Sequence, residues 1–183
     1  GYRVIRLDLP GHGKSEVVRD THEMELLAES AKAVLEANHI TSCTMIGHSM
    51  GGYVTLAFAD QYPEMISRFS LFHSHPFPDS DTVKQNRKNA IENIKNGKKE
   101  EICRSHVPKT FADDNLQAFA REVEWAKLIA SGTPDKGIIA NLRGMMERPD
   151  RSHILKQTNK PISFIAGKKD NFIQYDLVVP KIE

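Results

Sequence analysis

Cysteine is scarce in this sequence: Cys43 and Cys103 are the two it has in 183 residues, too few for a disulfide framework or a cysteine-rich zinc site. An excess of charge of either sign is missing as well. Lys and Arg number 25 against 24 Asp and Glu. The resulting net charge of +1 gives no electrostatic footing for nucleic acid or an anionic membrane as partner. No apolar run approaches the roughly 18–20 residues of a membrane span. Internal repeats and low-complexity tracts are also lacking. What remains is an ordinary globular composition, 39% hydrophobic and 27% charged, in a length that suits one domain. The expectation is a protein of a reducing, cytoplasmic compartment that works on a small-molecule substrate; its oligomeric state is left open.

Strand-like and helix-like stretches alternate. Arg3–Leu7, Thr41–Ile46, Ile66–Phe72 and Pro161–Ala166 are short, β-prone runs, and each reads as a strand. Between them, Met24, Leu27, Ala28, Ala31, Val34 and Leu35 recur at helical spacing over Thr21–Ala37, with Thr21 or Asp20 as N-cap. Tyr53–Gln61 reads as a second helix, stopped at Tyr62-Pro63 by the restriction on the residue before proline. This alternation predicts an α/β fold with a parallel sheet and flanking helices. Residues 76–158 break the rhythm and read as almost wholly helical. One predicted helix there, Asp114–Ile129, is apolar on two sides: Leu116, Phe119, Ala120 and Val123 on one, Trp125, Leu128 and Ile129 opposite. A helix covered twice fits either a helical insert over the sheet or ordinary core packing.

The chemistry-bearing signal is Gly47-His48-Ser49-Met50-Gly51-Gly52. It follows a predicted strand and opens a predicted helix, the context that gives G-x-S-x-G its meaning. A serine on so tight a turn is forced into a strained conformation, with Gly47 and Gly51, two residues to either side, expected to let neighbouring backbone pass without a Cβ collision, and the extra Gly52 strengthening the match. The turn lifts the Ser49 hydroxyl above the sheet edge. The first amides of the helix have no partners within it and meet negative charge favourably, so an oxyanion formed by attack of Ser49 would find the Met50 N–H.

Together with the preceding Asp8-Leu9-Pro10-Gly11-His12-Gly13-Lys14-Ser15, this segment resembles the α/β-hydrolase superfamily, specifically its capped serine hydrolases. Asp8, Gly11, Gly13 and Ser15 match the turn after the family's fourth strand, and Gly47, Ser49, Gly51 and Gly52 its nucleophile elbow. The resemblance implies a catalytic Ser49 and a triad acid at Asp170, in the strand-turn Gly167-Lys168-Lys169-Asp170, with Asp79 or Asp81 in reserve. It implies a core of residues 1–75 and 159–183, a helical cap of residues 76–158, and no cofactor. It also implies a base histidine beyond Glu183, a second oxyanion amide before Gly1, and further strands on both sides. The expectation is therefore an internal fragment, inactive and poorly packed by itself. The implied activity is hydrolysis of carboxylic ester-type bonds through an acyl-enzyme. Thioesterases, iminopeptidases and carbon–carbon bond hydrolases share the triad, and a noncatalytic ligand-binding relative shares the scaffold. Serine at position 49 argues against the branches that use a carboxylate nucleophile.

Other residues carry less. His48 and His12 read as structural. His73 and His75 end the third predicted strand, where an H-x-H pair would aim both rings to one face; no third ligand is evident, so pocket lining is the reading and no metal is expected. Trp125 and Met145 read as pocket lining or plain core. The basic run Lys84–Lys109 reads as a solvated face.

Overall fold

The computed structural model describes residues 1–182. Among them, three parallel strands form one sheet in the order β1-β2-β3: β1 (Cys43–His48), β2 (Ile66–Phe72) and β3 (Ile162–Ile165). The register pairs His48 with Phe72 and Phe72 with Ile165, so the three strands end level with one another. Helices α1 (Met24–Ala37) and α2 (Met50–Gln61) follow the periodicity read from the sequence. Residues Gly52–Ala59 of α2 are buried all round, the state expected of a helix with no polar face. Phe58, Phe69, Met24, Leu27, Leu56, Ile66 and Leu71 fill the core between α1, α2 and β2.

Several expectations are corrected. Arg3–Leu7 is not a strand. A strand exists by its ladder, and no described residue pairs with this stretch; Val4 is 78% exposed and Arg3 reaches across to the Asn38 side chain instead. Helix α1 starts later than Thr21, at Met24, with Glu23 as an N-cap that makes no side-chain bond. The reason lies in tertiary structure, because the His22 amide donates to Ala140 and holds the preceding chain out of the helix.

Residues 76–158 are helical as expected: α3 (Asp81–Lys95), α4 (Lys99–His106), α5 (Ala120–Gly132), α6 (Asp135–Glu147) and α7 (Ser152–Gln157). The predicted helix Asp114–Ile129 is shifted, with a 3-10 turn at Asp113–Asn115 and α5 beginning only at Ala120. Nor is it covered twice. Val123 is buried, but Trp125, Leu128 and Ile129 are 65%, 72% and 55% exposed. Helix α8 (Tyr175–Val178) follows the β3 turn. No described helix is long and apolar enough to cross a membrane.

Helix α6 docks on the Leu9–Glu23 segment through a row of small residues. A Cβ on Gly137 would lie 2.3 Å from the Gly11 carbonyl oxygen, and one on Gly144 would lie 1.7 Å from that of His22. Asn141, between them, donates to the Pro10 and Gly137 carbonyls. The Asp8–Ser15 turn is closed by its own residues: the Lys14 amide donates to the Asp8 carboxylate and the Ser15 hydroxyl to the Asp8 carbonyl.

Candidate active site

Strand β1 stops at His48 and α2 starts at Met50, leaving Ser49 alone to turn the chain from strand into helix. Its φ is 50° and its ψ −116°, a region that a side chain occupies only when the surroundings over-determine it. They do so here. The Ser49 amide donates to the Phe72 carbonyl at 2.9 Å, and its carbonyl accepts from the Gly52 amide and from the Ser74 hydroxyl at 2.8 Å. The residue is exposed and its hydroxyl makes no capping bond to the helix. Met50, half-buried, opens α2, so its N–H has no acceptor within the helix.

The glycines divide by what surrounds them. A Cβ on Gly47 would lie 2.2 Å from the Gly51 carbonyl oxygen, and one on Gly52 2.2 Å from the Ser74 hydroxyl, whereas a Cβ on Gly51 would meet nothing within 4 Å. The steric need expected of Gly51 thus belongs to Gly47 and Gly52.

Asp170 follows β3, and its carboxylate is held at both oxygens. Oδ1 accepts from the amides of Phe172 and Ile173 at 2.8 and 2.9 Å; Oδ2 accepts from His73 Nδ1 at 2.5 Å. Burial alone would push this carboxyl up, but the Ile173 amide, the His73 ring and the Phe172 amide outweigh it and hold it below its ordinary value. His73 follows β2 with a φ of 48° and donates its amide to Ile165. Because the strands end level in the order β1-β2-β3, the Ser49, His73 and Asp170 turns stand side by side along one edge.

The expected common face for His73 and His75 does not form. The positive φ at His73 breaks the strand alternation, and His75 turns inward against Tyr53 and Phe77, with ring centroids at 5.4 and 5.7 Å. Burial, then the nearby Arg148, lower its pKa to about 4, so the ring is neutral. Asp79 is not free for a triad: it is buried and bonded to Arg87 Nε and Arg148 Nη1, each at 2.6 Å. Asp81 lies at the exposed start of α3. His48 is exposed, its ring tilted against Phe72 and edge-on to His73. Met145 packs against the core cluster, while Trp125 faces solvent. Two surface clefts of about 390 and 400 Å³ are lined by neither Ser49 nor Asp170.

Two features went unread in the sequence. The Ser74 hydroxyl on the Ser49 carbonyl depends on the β1–β2 register, and the Arg148 guanidinium, 3.8 Å over the Tyr53 ring, depends on where α6 ends. Neither leaves a sequence signal.

Known proteins resemble this chain in sequence and in fold. A hydrolase from Paraburkholderia phymatum, named for 2-hydroxy-6-oxononadienedioate and 2-hydroxy-6-oxononatrienedioate, is 28% identical over 97% of this chain and 63% of its own length. Its namesake from Escherichia coli K12 is 40% identical over 39% of the chain and 25% of its own length. A thermophilic esterase from Thermogutta terrifontis superposes with a TM-score of 0.83 at 26% identity, over 88% of this chain and 60% of its own. The enol-lactonase of Burkholderia xenovorans shares the fold with a TM-score of 0.79 at 20% identity, over 87% and 60%. The chain thus spans less than two thirds of the length of these relatives. Residues 1–179 match the family described by the alpha/beta hydrolase fold, and the chain belongs to that family.

Proposed function

We propose that the full-length protein is a serine hydrolase of carboxylic ester-type bonds, acting through an acyl-enzyme on Ser49. The observation that carries this reading is the strained Ser49, fixed at the mouth of α2 on the same sheet edge as Asp170. The Ser49 hydroxyl attacks a substrate carbonyl, and the negative charge that develops on the carbonyl oxygen is met by the Met50 N–H at the positive end of α2. A histidine C-terminal to Asp170, where the family resemblance puts it, takes the serine proton and returns it to the leaving group. Asp170 orients that imidazole and stabilises its cation without taking the proton itself. Water then releases the acyl group. Residues 76–158, inserted between β2 and β3, serve as the cap that shapes the substrate space.

One observation favours a second reading. The Paraburkholderia relative is named as a hydrolase of an oxo-dienedioate, which points to cleavage of a carbon–carbon bond beside a ketone by the same residues. A fluorophosphonate probe tests what both readings share: the full-length protein should label, and Ser49→Ala should abolish labelling. A folded wild-type protein that does not label would point instead to a noncatalytic ligand-binding homologue. Turnover of p-nitrophenyl esters against a vinylogous 1,5-diketone acid separates the two hydrolase readings.

A further inference from the structure

Asp170 offers four lone-pair positions as an acceptor, and the structure accounts for three of them. The Phe172 and Ile173 amides occupy both positions on Oδ1, and His73 occupies one on Oδ2. We propose that His73 is a positioning residue for this carboxylate: it pins Oδ2 so that one acceptor position is left for the base imidazole. The inference rests on the reading of Asp170 as the triad acid.

Three observations fix His73 in this task. Its backbone is bound on both sides, by its own amide to Ile165 and, one residue earlier, by the Phe72 carbonyl to Ser49. Its ring lies close against the Gly167 backbone, where an added Cβ would lie 2.6 Å from His73 Cε1. The chain accepts a φ of 48° there, a conformation that non-glycine residues seldom hold without cause. An ionised carboxylate can only accept, so the His73 proton sits on Nδ1 and the hydrogen bond is charge-assisted.

The charged and titratable groups around Asp170 are few. His73 comes from the end of β2 and His48 from the end of β1, with Tyr53 on α2 and Lys168 and Lys169 on its own turn. Lys169 is engaged with Asp114. Of these, His73 is the side chain that hydrogen-bonds the carboxylate. Removing it takes away a contact that favours the ionised form, so the Asp170 carboxyl should titrate at higher pH.

The test uses the full-length protein, with ester turnover, fluorophosphonate labelling and 13C NMR titration of the Asp170 carboxyl. His73→Ala should lower kcat about 10- to 100-fold, the range for losing a hydrogen bond to a charged group, with KM unchanged and the Asp170 titration moved up. His73→Asn, whose amide N–H stands where Nδ1–H stood, should recover most of the loss. Gly167→Ala should reproduce part of it by displacing the ring, and carries the test if His73→Ala does not fold. Wild-type kcat and titration in His73→Ala would overturn the proposal. So would a loss as complete as that of Ser49→Ala without rescue by asparagine, which would make His73 the base itself. Asp170→Asn separates the two levels: full activity there removes the triad reading, while its loss beside an unimpaired His73→Ala removes this inference alone.

Discussion

At Ser49 a single residue does what a loop does elsewhere, and the cost is a backbone conformation that only its neighbours make tolerable. Those neighbours predict an ordered set of substitutions. Gly47→Ala drives a methyl into the Gly51 carbonyl and Gly52→Ala drives one into Ser74. Each should cost about 1–3 kcal/mol or more, as overpacking does. Gly51→Ala points into open space and should stay within about 0.5 kcal/mol of wild type. Urea midpoints of the full-length variants check this order, and an equal cost at all three glycines would contradict it. The motif was legible in the sequence as a spacing. Which glycine is sterically obligatory was not, because the answer comes from the Gly51 carbonyl and Ser74, brought in by the helix turn and by the β1–β2 register.

At the scale of elements, α6 shows how a helix can be anchored with almost no side chain. Its face of Gly137, Ala140, Asn141 and Gly144 brings backbone against the Leu9–Glu23 segment, so Gly144→Ala should dislodge that segment or the helix. Faster hydrogen exchange at His22 and Glu23 would report it; unchanged protection would refute the docking. The Asp79 link is the polar counterpart. It joins the exit of β2 to α3 through Arg87 and to the end of α6 through Arg148. Asp79→Ala leaves the buried Arg148 without its carboxylate and should cost about 3–5 kcal/mol, the range for breaking one side of a buried pair. The core elements α1, α2, β1, β2 and β3 were legible from periodicity and from the Tyr62-Pro63 stop. Two were not, for different reasons. Arg3–Leu7 has strand-forming residues without a ladder, and α5 begins at Ala120 because Asp113–Asn115 close a 3-10 turn of their own. Exposed as it is, Trp125→Ser should change stability by no more than about 0.5 kcal/mol, and a larger loss in a melt of the full-length protein would mean that this face is covered.

For the molecule as a whole, acid acts in two stages. His75 is held neutral in the fold, with a pKa of about 4 against an ordinary 6.5. The unfolded chain therefore takes up a proton that the folded one refuses, and stability falls as pH drops from about 6.5 towards 4. The loss from this group is at most on the order of 3 kcal/mol. Buried His22, lowered mainly by desolvation, acts in the same direction. Asp79 and Asp170 are depressed instead; their contributions are complete above the ordinary carboxylate range and vanish as pH falls through their lower folded values. Urea midpoints at pH 7, 5 and 4 should decline stepwise, and His75→Gln should flatten the first step. A midpoint constant from pH 7 to 4.5 would contradict the assignment.

The sheet order carries a consequence for how the chain comes off the ribosome. His73 and Asp170 touch although 97 positions separate them, and all of α3 to α7 is synthesised in between. Until β3 is made, β2 has a ladder partner in β1 and none on its other side. Contacts so remote in sequence form late, and the carboxylate that completes the cluster is made 97 positions after the histidine it meets.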